Sequence, residues 1–163
     1  MSTSSPPWLA DYQLARARSV PLIGLQSADG QDTVRQLGLA TTPVISWDVV
    51  NGALSCNQAA NSLVEWIFEQ KDSSALQGEA GAVELLTIMR YCPKEDVTCI
   101  MVNAHRYIED AAVSMALWSL RGVLPGRGSS IVLLAPSLTM PVELAQDVLI
   151  LDVSLPDTDT LWS

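Results

Sequence analysis

The sequence predicts an α/β protein: a mostly parallel, doubly wound sheet of five strands flanked by helices. Three observations carry this. Strand-length apolar runs alternate with helix-length amphipathic segments along most of the chain, which implies right-handed strand–helix–strand crossovers. The run VTCIMVN, Val97 to Asn103, is apolar almost without interruption and rich in β-branched residues, as strands covered on both faces are. The chain has 163 residues, 48% apolar and 17% charged, enough for one domain with a real core and too few for two.

The elements follow in order. Met1 to Pro7 is a polar, proline-containing leader expected to be mobile. Trp8 to Ser19 has helical spacing, with Trp8, Tyr12 and Ala15 on one side. Residues 1–19 therefore form a leader and helix, and residues 20–163 a single α/β domain. Val20 to Ser27 is the first strand. The next segment offers Asp29 or Asp32 as the cap of a helix running to about Leu37. Pro43 to Val50 is a second strand, closed by the turn pair Asn51-Gly52. A helical turn near Val64 to Phe68, a polar loop from Lys71 to Gly81 and an amphipathic helix from Ala82 to Cys92 come next. Pro93 stops that helix before the VTCIMVN strand. Ile108 to Leu124 is a further helix, LPGRGSS (Leu124 to Ser130) a helix-to-strand turn and SIVLLAPS the fourth strand. A short helical turn begins near Pro141, and Val148 to Asp157 is the fifth strand.

Composition excludes several functions. The net charge is −9 and the nine basic residues are scattered, whereas binding nucleic acid by counterion release needs clustered Lys and Arg. Cys56, Cys92 and Cys99 form no CxxC pair, and His105 is the only histidine, so no metal-ligand set is legible. Free thiols point to a reducing, intracellular setting. MSTSSPPW has no signal-peptide character, and no segment is long enough to span a membrane.

Catalytic chemistry is equally sparse. A phosphate-binding loop of the form GxxxxGK[ST] should follow the first strand, because backbone N–H groups cradle the phosphates and a lysine reaches them. SADGQDT, Ser27 to Thr33, has one glycine, no lysine and two aspartates that repel a triphosphate. Arg127 lies in a loop that precedes a strand, so it lacks the helix N-terminus such a loop needs. The VTCIMVN strand ends at Asn103, where an ATPase would hold magnesium through an acid; a neutral amide is no substitute as anchor or proton acceptor. His105 is weighed as a general base against a structural turn residue, and the structural reading is favoured because no serine or cysteine elbow stands near it. Ser129-Ser130 and Ser137 lack GxSxG context, and Glu109-Asp110 read as helix-start charges. The expected sets are therefore no catalytic residue, no metal ligand and no cofactor site, with Asn103 and His105 as the weak candidates.

Three stretches carry a resemblance. WDVVNGALS (Trp47 to Ser55), IMVNAHRYIED (Ile100 to Asp110) and MPVELAQDVLILDVSLPDTDTL (Met140 to Leu161) together resemble the N-terminal RecA-like domain of the two-part AAA+ ATPases of cyanobacteria, plastids and some phages. The resemblance covers Val20 to Leu161 and implies a degenerate RecA-like, P-loop-like fold. Two departures stand out: the family commonly carries an acid where this chain has Asn103, and Asp29 and Asp32 match its paired acids after the first strand only loosely. It implies a noncatalytic interaction or regulatory domain, with ATP and Mg bound by a downstream AAA+ core absent from this chain. Its partner would be a protein or its own core, with no nucleic acid, no membrane and oligomers only with the core. The expected compartment is the cytoplasm, meaning the host's for a phage protein and the stroma for a plastid one. Trp8 and Trp162, near the chain ends, are the candidate docking residues. A standalone α/β partner-binding protein and a nonstandard ATP-binding enzyme are the alternatives.

Overall fold

Alternation along the strands sorts their side chains into two cores, and the helices follow. In β1 (Leu22–Gln26), β4 (Thr98–Val102) and β5 (Ser130–Ala135), Ile23, Leu25, Ile100, Val132 and Leu134 meet Trp8, Tyr12, Ala15 and Leu37 on one face. Leu22, Cys99, Met101, Ile131 and Leu133 point to the other face, as the two-residue period of a strand requires. The computed structural model describes residues 6–153. The first face is covered by α1 (Pro7–Ala17) and α2 (Gly30–Leu37), and the second by α3 (Asn61–Gln70), α4 (Gly78–Met89) and α5 (Ala111–Leu120).

With β2 (Val44–Asp48), β3 (Gly52–Ser55) and β6 (Val148–Asp152), the sheet runs β3-β2-β4-β5-β1-β6. Every pairing is parallel except β2 with β3. The doubly wound α/β class is as the sequence predicts, but the sheet has six strands rather than five. The extra strand is the return arm of a hairpin closed at Gly52, whose φ of +71° suits glycine. It has four residues, of which only Gly52 and Ala53 are buried, so it carries no alternation long enough to see in the sequence.

Caps set the helix boundaries. Asp29 accepts from the Asp32 N–H at 3.1 Å and starts α2. Asp110 accepts from the N–H groups of Ala112 and Val113 and starts α5 three residues later than the apolar pattern implied. Trp47 anchors the second core: its indole N–H donates to the Leu76 carbonyl at 2.6 Å, and its ring meets Tyr107 edge-on at 5.2 Å.

Helix α1 packs on the sheet as part of the first core. Trp8, expected as a docking residue, is only 7% exposed there and is committed to its own chain. The leader residues 1–5, the strand residues expected beyond Val153, and Trp162 lie outside the described residues.

Candidate functional site

Parallel strands deliver their carboxyl ends to one edge, and in open α/β sheets that edge is where ligands meet loops. Here β2 ends at Asp48, β4 at Val102 and β1 at Gln26. Between the start of α2, the β2–β3 turn and the end of β4 lies a cleft of about 740 Å³. Its apolar wall is Val34, Val49, Val50 and Val102, and Asn103 and Arg106 stand on its polar side.

Side-chain hydrogen bonds tie the loop after β1 together. The hydroxyls of Ser27 and Thr33 are 2.8 Å apart, the Asp29 N–H donates to Ser27 Oγ at 3.2 Å, and the Thr33 hydroxyl donates to the Asp29 carbonyl. The Asp29 carboxylate already occupies an N–H of the first turn of α2. Asp32, in the same turn, is held below the usual carboxylate range by hydrogen bonds from Arg35 and then Gln36. An anion brought to this helix start meets two carboxylates and no lysine.

The β2–β3 turn is built the same way. Asp48 accepts from the N–H groups of Val50 and Asn51 at 2.9 and 2.7 Å and from the Asn51 amide at 3.2 Å. This leaves Val50 76% exposed at the cleft mouth. Asn103 ends β4 in the left-handed region, with φ of 57°, a conformation asparagine tolerates. It is exposed and makes no capping bond. The chain then turns through Ala104–Arg106, which puts Arg106 over the cleft and leaves His105 out of its wall. His105 Nδ1 is buried without a hydrogen-bond partner among the described residues. Beneath the turn, the Tyr107 hydroxyl donates to the Val102 carbonyl at 2.9 Å. Burial raises the pKa of Tyr107 and of the Cys99 thiol, and also that of Cys56 and Cys92, so no thiolate is activated among them.

Of the weak candidates, Asn103 joins the cleft and His105 does not. Arg106, Val34, Val50 and Asp48 escaped the sequence reading. Arg106 was visible as a cation in the turn after a buried strand, but its approach to Val34 and Val50 depends on β2 and β4 being neighbours. The LPGRGSS turn lies at the opposite end of the sheet, where Arg127 donates to the Cys92 carbonyl and Ser129 accepts from the Val97 N–H. Among the described residues, no helix is long and apolar enough to cross a membrane.

The family model described as SpoVK-like AAA ATPase, N-terminal domain, matches residues 12–153. No curated protein and no solved structure matches the chain.

Proposed function

The chain belongs to the family of SpoVK-like AAA ATPase N-terminal domains, and from that premise we propose that it is a noncatalytic recognition or regulatory domain. It binds a protein partner or its own AAA+ core and leaves phosphoryl transfer to that core. The observation that carries this reading is the loop from Ser27 to Thr33, where the Ser27, Asp29 and Thr33 side chains bond to one another and to the loop backbone and the helix start is lined by Asp29 and Asp32. Phosphoryl transfer depends on positioning cations against developing negative charge, and this loop offers the opposite charge. Asn103 supports the same reading, because an amide neither takes a proton nor holds a magnesium-bound water as a carboxylate does.

In this reading the parent is a two-part AAA+ ATPase of the kind found in cyanobacteria, plastids and phages. ATP and magnesium sit in its downstream core, and ring assembly comes with that core. The compartment is the cytoplasm or, for a plastid protein, the stroma. The acidic balance of the chain fits a protein partner better than a nucleic acid.

Titration calorimetry with Mg-ATP tests the reading. The expected result is no heat of binding at nucleotide concentrations up to about the millimolar range. Saturable micromolar binding by this chain would overturn it.

A further inference from the structure

The carboxyl-edge cleft has a composition that selects a ligand. Four valines line it, and two of them, Val49 and Val50, are 40% and 76% exposed. Adjacent exposed aliphatic side chains beside a concave surface give an apolar ligand something to cover. Arg106 is exposed at the same cleft, and its side chain makes no hydrogen bond or ion pair with any described residue. Of the nearby carboxylates, Asp32 is paired with Arg35, whereas Asp29 caps α2 and Asp48, on the cleft's own lining, accepts from its turn; both of these hold neutral N–H donors and keep their charge. A chain of net charge −9 thus presents an uncommitted cation next to an apolar wall.

We propose that this cleft docks an acidic–apolar segment of a partner protein, an aliphatic side chain lying against Val34, Val50 and Val102 and a neighbouring carboxylate pairing with Arg106. The inference rests on the recognition reading above and adds the chemistry of the partner. Guanidinium and carboxylate match in shape as well as charge. The aliphatic contact supplies the non-directional part of the affinity and the ion pair its selectivity. Asn103, exposed at the end of β4, adds an amide that can donate to the segment's backbone. A phosphate chain satisfies only the cation and leaves the valines bare.

The test uses the full chain, isotope-labelled, and three blocked pentapeptides: acetyl-Glu-Val-Val-Glu-Gly-amide, its counterpart with both Glu replaced by Lys, and its counterpart with both Val replaced by Ser. Amide shifts at Val34, Val50, Val102 and Asn103 are expected with the first peptide. Binding should be about three- to tenfold weaker for each of the other two, the range one part-exposed ion pair or one aliphatic contact commands. Arg106→Glu should invert the preference between the acidic and basic peptides, and Val50→Ser should weaken both. Equal affinity for the Glu and Lys peptides, shifts confined to other parts of the chain, or no shift at millimolar peptide would overturn the inference. Mg-ATP added to the same sample keeps the two readings apart. Nucleotide shifts across Ser27 to Thr33 would strike at the noncatalytic reading whatever the peptides do. Silence toward both ligands would remove the docking inference alone.

Discussion

The two ends of the sheet are held by different kinds of hydrogen bond. At the amino end, Arg16 of α1 donates to the Gly128 carbonyl at 2.9 Å, the Ser130 hydroxyl at 2.8 Å and the Asp96 carbonyl at 3.1 Å. The Ser130 hydroxyl donates in turn to the Val20 carbonyl, 110 residues away in sequence. Around the cleft at the carboxyl end, the side-chain bonds of the β2–β3 turn and of the loop after β1 are local, and the long-range ties there run through backbone groups such as the Gly78 N–H to the Val49 carbonyl and the Ser27 N–H to the Ala135 carbonyl. Asp48 holds Val50 and Asn51, Asp29 holds Asp32, and Ser27 meets Thr33 six residues on. Long-range bonds tie separate segments into one fold. Local bonds shape a loop and leave its outer surface available. The difference separates the part of the molecule that secures the domain from the part that is free to meet a ligand.

The largest expected effect comes from breaking the amino end. Arg16→Ala removes three charge-assisted donations and leaves partly buried acceptors unmet, so urea unfolding should show a loss of about 2–3 kcal/mol. The amide shifts of Val50 and Asn103 should hardly move. A loss below about 0.5 kcal/mol, or a rearranged cleft, would show that the two ends are not independent.

Alkali probes the hidden support of the carboxyl end. Burial raises the pKa of the Cys99 thiol above its ordinary 9.0 and that of the Tyr107 phenol above 10.0. A raised folded-state pKa means the stabilisation is complete below the unfolded value and is lost as pH rises past it. Stability should therefore be level on this account from about pH 7 to about pH 8 and fall by on the order of 1–2 kcal/mol by about pH 10.5. Tyr107→Phe should flatten the upper part of that decline, read from denaturant midpoints across the series.

The smallest effect is local. Asp48→Ala strips the β2–β3 turn of its side-chain acceptor and should cost about 1 kcal/mol. Hydrogen exchange should quicken at Val50 and Asn51 and stay unchanged at Val97 and Ser130. Quickening at both ends would show that the two ends open together.

Much of this architecture is legible in the chain itself. VTCIMVN reads as a buried strand because nearly every side chain is apolar whichever face it takes, and Cys99 and Ile100 do fall into opposite cores. A cap at Asp29 or Asp32 is legible because a short carboxylate just ahead of a helical pattern is in reach of its first N–H groups, and the structure chooses Asp29. The return arm Gly52–Ser55 is not legible, since four residues with two buried fall below any periodic signal. Trp8 misleads: a terminal tryptophan looks available until the helix carrying it is packed. The cleft itself is half visible. Asn103 and the turn after it stand out in the sequence, whereas the valine wall does not, because Val34, Val50 and Val102 are brought together only by strand order.

The α/β class, the acidic balance and the lack of a lysine in the loop after the first strand were determined by sequence alone, because each rests on local periodicity or on composition that no folding can alter. The order β3-β2-β4-β5-β1-β6, the burial of Trp8 and the meeting of Arg106 with the valines were decided only in three dimensions. Those outcomes depend on which distant segments pack side by side, and hydrophobic periodicity carries no information about the identity of the neighbour.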